Sequence, residues 1–122
     1  MSLTSPMAEA LGRFLDLTSD QLKLTASNMA NVDTPGFKTM GFDFEQEFAR
    51  QLNAVPTSLA SSLDPQLSVV EGLVARPDGN NVAMDREGLE LAKSQLRFKM
   101  GVDLLKGEFA QVMSAIHASD GK

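Results

Sequence analysis

The sequence predicts a mostly α fold: two long terminal helices packed as an antiparallel coiled coil, a short third helix, and an irregular middle segment with room for a short β hairpin. Three observations carry this. An apolar stripe runs from Met7 to Met29, a longer one runs from Leu91 to Ile116, and the chain between them is rich in Pro, Gly and Ser. A chain of 122 residues suits one structural domain, divided here into an N-terminal helix (1–31), a middle segment (32–84) and a C-terminal helix (85–122).

The first helix is expected from about Pro6 to Asn31. Ser5 can cap its orphan amides, and proline is tolerated in the first turn, where its missing N–H costs nothing. Met7, Leu11, Phe14, Thr18, Leu22, Thr25 and Met29 recur at steps of three and four, with Leu3 and Leu15 beside them. Glu9 and Arg13 are spaced for an i,i+4 ion pair on the wetter side.

Asp33-Thr34-Pro35-Gly36-Phe37 then reads as a turn, because Pro presets φ at one central position and Gly accepts a positive φ at the next. Asp43 and Gln46 have the spacing of a capping pair, followed by Phe44, Phe48 and Leu52 on one helical face. Glu45 and Glu47 point in different directions on that helix and are expected in water. From residue 53 to 81 the chain carries Pro56, Pro65 and Pro77, and reads mostly as loop. Within it, Leu67, Val69, Leu73 and Val74 could form an extended piece or hairpin.

The last helix is expected from about Asp85, a plausible cap, to Ala118. Leu91, Gln95, Phe98, Val102, Leu105, Phe109, Val112 and Ile116 alternate steps of four and three, the spacing of a helix–helix seam. Leu89, Ala92, Leu96, Met100, Leu104 and Met113 widen the apolar surface beyond a two-stranded seam, which points to more than one neighbour. Gly101 and Gly107 each weaken the helix by roughly 1 kcal/mol relative to Ala, so packing has to supply the difference. At 1.5 Å per residue the two long helices would span about 38 and 50 Å.

Composition excludes several functions. With no cysteine there is no disulfide, thiolate metal site or cysteine nucleophile. A net charge of −5 with scattered lysines argues against nucleic acid, whose phosphates need clustered cations. The opening residues lack a basic stretch and an apolar run, so no cleaved secretory signal is expected. His117 reads as a solvated residue near a helix C-terminus. Asp78-Gly79-Asn80-Asn81 lacks the closing glutamate of a calcium loop and reads as a tight turn. No catalytic constellation, cofactor site or metal site assembles from these residues, so no enzyme is expected and none of these ligands. From periodicity alone, the stripes fit a monomeric hairpin as well as an oligomer. The excess of apolar surface over anything in the middle segment able to cover it tilts the reading toward assembly.

Residues 26–38, Ala26-Ser27-Asn28-Met29-Ala30-Asn31-Val32-Asp33-Thr34-Pro35-Gly36-Phe37-Lys38, resemble the N-terminal signature of the flagellar axial proteins (rod, hook and hook-associated subunits), usually A-S-N-[IL]-A-N-x-x-T-P-G-[YF]-K. Within that family the chain is most similar to the proximal rod subunits. Phe42-Asp43-Phe44-Glu45, Asp78-Gly79-Asn80-Asn81-Val82, Asp85-Arg86-Glu87 and Gln95-Leu96-Arg97-Phe98 match their pattern, with Phe98 for the usual Tyr and Ser94 for the usual Asn. The C-terminal pattern of a sister rod subunit, E-M-x-x-M-I-x-A-x-R-x-Y-E-A-N, is absent. The likeness runs from about Leu15 to Ile116 and is weakest between Asn53 and Pro77.

The resemblance implies a structural subunit of the periplasmic rod of the flagellar basal body, transmitting torque and continuing the export channel. It implies export through the type III apparatus without signal cleavage. The implied partners are copies of itself, other rod proteins, and the basal-body adaptor and export gate, with no direct small-molecule ligand. It marks Ala26, Ser27, Asn28, Ala30, Asn31, Thr34, Pro35, Gly36 and Phe37 as the signature and turn, and Asp78, Gly79, Asn80, Val82 and Glu87 as a second motif. Subunit packing is expected of Met7, Leu11, Phe14, Leu22, Met29, Leu91, Phe98, Val102, Leu105, Phe109, Val112 and Ile116. The alternatives are a sister rod subunit, or a soluble helical adaptor that binds one partner helix.

Overall fold

The computed structural model describes residues 5–53 and 64–120, so Leu3 and Pro56 lie outside the described residues. Three helices and two short strands follow in the order α1 (Pro6–Ala30), β1 (Met40–Gly41), α2 (Phe44–Leu52), β2 (Ser68–Val69) and α3 (Met84–Asp120).

Local chemistry starts and stops the first two helices. Ser5 Oγ accepts the Ala8 amide at 3.0 Å, and Pro6 occupies the first turn. At the other end of α1 the Asn31 side chain donates to the Ser27 carbonyl at 2.8 Å. Asp43 caps α2 by accepting the Gln46 amide at 3.1 Å. The third helix begins at Met84, one residue before the expected Asp85 cap. Asp85 and Glu87 instead lie inside its first turn, where the helix dipole favours negative charge.

The two long helices run antiparallel. Ser5, at the start of α1, donates to Glu108 late in α3 at 2.7 Å, while Asn28, at the end of α1, meets Glu87 at the start of α3. Past the Glu108 level α3 continues to Asp120, about 18 Å of further helix.

Their seam differs from the expected one. On α3, Glu87, Gly101 and Glu108 meet α1, and Leu91, Ser94 and Leu105 are buried or half-buried on the same side. Gln95, Phe98, Phe109 and Ile116, expected in the seam, are exposed in the single chain. The reason is close approach. A Cβ placed on Gly101 would lie 2.7 Å from Leu15 Cδ2 and 3.1 Å from Phe14 Cδ1, so the backbone gap at Gly101 takes the α1 side chains and rotates the bulkier residues outward. On α1 the buried residues are Ala8, Leu17, Thr18, Gln21, Thr25 and Asn28, more polar than the apolar stripe suggests. Thr18 Oγ1 donates to the Phe14 carbonyl at 2.8 Å, and the Gln21 amide donates to Thr25 at 3.0 Å, so these groups keep partners out of water.

Helix α2 docks through an aromatic cluster. The Phe14 ring meets Phe44 and Phe48 edge-on at 5.3 and 5.5 Å, and the Arg97 guanidinium lies 4.1 Å over Phe44. Arg13, expected to pair with Glu9, donates to the Gln51 carbonyl at 2.5 Å and ties α1 to the end of α2. Glu47, expected in water, is buried: it holds Arg50 at 2.8 Å and accepts the Gln66 amide at 3.2 Å. Arg50 in turn donates to the Asp64 carbonyl at 2.9 Å, so the Asp64–Gln66 segment lies against this pair.

The extended piece expected around Val69 forms, but its partner is the chain just after the signature turn. Met40 pairs antiparallel with Val69 and Gly41 with Ser68. Val69 and Val74 remain exposed, and two-residue strands bury little by themselves.

Candidate assembly surface and the joint behind it

The two sequence motifs, more than forty residues apart, fold onto each other. Thr34 to Phe37 make a hydrogen-bonded turn in which Phe37 N–H reaches the Thr34 carbonyl at 3.2 Å and Gly36 takes φ 75°. Gly79, at φ 86°, lies behind it; a Cβ there would be 3.4 Å from Gly36 Cα. Gly36 N–H donates to the Asp78 carbonyl at 2.8 Å, and Asn81 N–H to the Phe37 carbonyl at 3.2 Å.

Asn80 is the centre of this joint. Its Nδ2 donates to the carbonyls of Asn31 and Thr34, both at 2.8 Å, and its Oδ1 accepts the Val82 amide at 2.8 Å. One fully buried side chain therefore satisfies three backbone groups from both motifs. Asn81 Oδ1 accepts Thr39 N–H at 2.7 Å, Lys38 Nζ reaches the Gly79 carbonyl at 2.5 Å, and Arg76 bridges the carbonyls of Val32 and Val82. Deeper in, Asn28 bonds both backbone groups of Met40 and the Glu87 carboxylate.

Of the signature, Asn28 is buried and Phe37 and Asn31 half-buried, while Ala26, Ser27, Ala30, Thr34, Pro35 and Gly36 are exposed. Asn80, Val82 and Glu87 of the second motif are buried, and Asp78 is exposed. Arg76 and Thr39 belong to the joint although the sequence did not single them out, and Asn81, the variable position of the second motif, belongs to it as well. Arg76 in particular carries no pattern; only the folded chain brings it against Val32.

Replacing Gly36 by Val is expected to cost roughly 1–3 kcal/mol, measured as a lower urea midpoint with unchanged slope. A Cβ there meets nothing within 4 Å, so the whole effect is backbone strain at positive φ. An unchanged midpoint would show that the turn relaxes freely.

Many large apolar side chains of the helices are left uncovered in the single chain. Leu89, Leu96, Phe98, Met100, Leu104, Phe109, Met113 and Ile116 of α3 are each more than 40% exposed, and Met7 of α1 is 57% exposed. Of the residues expected to pack between subunits, Leu11, Phe14, Leu22, Met29, Leu91, Val102, Leu105 and Val112 are half-buried within the chain. Met7, Leu11 and Phe14, with Phe48, Leu52, Met100 and Leu104, line an open groove of about 370 Å³ with an entirely apolar wall. Burial raises the Asp20 carboxyl above its ordinary value, with nearby Lys23 pulling it down and Asp64 and Asp16 adding to the rise. Among the described residues, no group of three His, Cys, Asp or Glu is placed to hold a metal ion, and no helix is long and apolar enough to cross a membrane.

The family model described as "Flagella basal body rod protein" matches residues 15–38, the second half of α1 and the signature turn. The flagellar basal body rod protein FlgB of Salmonella typhimurium is 27% identical over 123 residues, covering 87% of this chain and 89% of that protein. The FlgB protein of Borrelia hermsii is 28% identical over 130 residues, covering 92% and 96%. That of Bacillus subtilis is 30% identical over 126 residues, covering 95% of this chain and 97% of its own length. The chain belongs to the flagellar basal-body rod protein family. It is a structural subunit of the flagellar basal-body rod. In this rod protein the family-model match supplies one half of the joint, Asn28 to Phe37, and the segment around Asn80 supplies the other.

Proposed function

We propose that this rod subunit belongs to the proximal rod, where α1 and α3 line the tube wall and pack against copies of itself and other rod proteins. The many large apolar side chains left exposed along α3 carry this reading, because a soluble monomer rarely leaves so much apolar surface wet. Heterologous contacts that do not close into a ring would make the assembly helical. The packing role falls to Met7, Phe98, Phe109 and Ile116, exposed in the chain alone, and to neighbours such as Leu105 that serve α1 as well. The whole chain acts as one structural domain, transmitting torque and continuing the export channel. It reaches the rod through the type III apparatus without a cleaved signal and builds on the adaptor and export gate, and it carries out no chemistry.

Leu104 makes the cleanest test. It is 60% exposed, so Leu104→Asp is expected to leave folding within about 0.5 kcal/mol of the parent while abolishing rod incorporation and motility. Leu105→Asp would mix assembly with the α1 contact, because Leu105 is half-buried. His117→Ala, at an exposed position, is the control and is expected to swim normally. Motility of the Leu104→Asp strain with loss in the His117→Ala strain would overturn the reading.

A further inference from the structure

We propose that Glu87 is a positioning residue that latches the middle segment to the pair of long helices through Asn28. The geometry makes the route specific. Asn28 Oδ1 accepts the Met40 amide at 3.2 Å, and Asn28 Nδ2 donates to the Met40 carbonyl at 2.9 Å and to Glu87 Oε1 at 2.7 Å. Toward Met40, the Asn28 side chain thus acts as a second strand would, taking both backbone groups of one residue. An ionised carboxylate can only accept, so Glu87 dictates which end of the amide faces α3. Turning the amide over would set oxygen against oxygen at Glu87.

Glu87 is fully buried, and a buried charge is tolerated only with partners. Arg86 supplies the opposite charge at 2.6 Å. It passes close to Gly41: a Cβ on Gly41 would be 3.6 Å from the Arg86 guanidinium and 2.9 Å from Val70 Cγ2. The node therefore joins α1, β1 and α3 in one set of hydrogen bonds. Immediately beside it, Val70 N–H reaches the Thr39 carbonyl at 2.9 Å and carries the order on to β2.

The apolar contacts between the long helices do not perform this task. Leu91 and Leu105 are half-buried on α3, and Leu15 and Phe14 meet Gly101 about 20 Å along α1 from Asn28. Helix pairing is held along the length of the seam, whereas the placement of β1 and β2 hangs on its Asn28–Glu87 end. The coupling belongs to the folded subunit and holds whatever its neighbours in the rod.

Amide exchange of the purified full chain, resolved residue by residue, tests the latch. In Glu87→Leu the amides of Met40 and Val70 are expected to exchange at least about tenfold faster, while helix amides between residues 15 and 22 and between 98 and 105 keep their rates. Glu87→Gln retains an acceptor oxygen for Asn28 and is expected to stay within about threefold of the parent at Met40. Unchanged exchange at Met40 and Val70 in Glu87→Leu overturns the proposal, as does an equal rise throughout the helices, which would mark a general loss of stability. Gln behaving like Leu overturns the route through Asn28. If Glu87→Leu does not fold, Asn28→Ala is read in its place, with the same selective loss expected and the same outcomes counting against it.

Discussion

Asn80→Ala is expected to lower stability by roughly 3–5 kcal/mol, read as a fall in the urea midpoint of the purified chain. The side chain makes three hydrogen bonds to the backbone of Asn31, Thr34 and Val82, and is fully buried. The two bonds to carbonyls contribute about 1 kcal/mol each net, and those carbonyls keep the amides of Thr34 and Phe37, whereas truncation leaves the buried Val82 N–H without its acceptor, which adds about 1–3 kcal/mol. Among the described residues few large apolar side chains are buried, with Leu17, Phe44 and Val82 among them, so the joint holds an unusual share of the fold. Asn80→Asp separates the roles of the two ends of the amide. It keeps an acceptor for Val82 but sets a carboxylate oxygen against two carbonyls, and is expected to be at least as damaging as Ala. A loss below about 1 kcal/mol for both variants would show that the two motifs are held together by something other than Asn80.

Gly101 is expected to discriminate sharply by side-chain size. Ala at this position gains about 1 kcal/mol of helix propensity but pushes its methyl to 2.7 Å from Leu15 Cδ2, and overpacking of this kind costs about 1–3 kcal/mol. The two nearly cancel, because the end of Leu15 can swing aside. Leu at this position has no such exit: Phe14 and Leu15 both face it, and Phe14 is already fixed by Phe44 and Phe48. Gly101→Leu is therefore expected to separate the long helices, destabilise the chain by about 3 kcal/mol or more, and disturb the aromatic cluster. Gly107→Leu is the matching control, because a Cβ there meets nothing within 4 Å. Urea titration of the three variants checks the order; equal losses at positions 101 and 107 would mean that the close approach is unimportant.

Both positions show where sequence periodicity stops being informative. Local chemistry settled the ends of the helices, because a cap involves residues only a few positions apart. Ser5 before Pro6 and Asp43 before Gln46 both place their caps where spacing predicts. The turn at Pro35-Gly36 is local in the same sense, and so is the apolar excess on α3, which follows from counting side chains that no middle segment could cover. The signature at residues 26–38 was legible as a family motif, but its physical role was not. Asn28 and Asn80 look like ordinary turn residues until the partners they hold, Met40, Glu87, Asn31 and Thr34, arrive from elsewhere in the chain.

By itself the sequence determined the helical class, the helix limits to within a residue or two, and membership in an assembling family. Periodicity and capping act over one or two turns, and those distances are written in the order of residues. Tertiary structure decided the rest. Which face of α3 meets α1 depended on the space at Gly101, a property of two backbones approaching each other, so Phe98 and Phe109 turned outward although their spacing fits a seam. Glu47 went inside because the chain returning at Gln66 brings it an amide. Val69 pairs with Met40 rather than with a neighbour, and Met40 is itself held by Asn28, which in turn bonds Glu87. In each case the deciding partner is distant along the chain, and a buried polar group or a missing side chain has meaning only once that partner is in place.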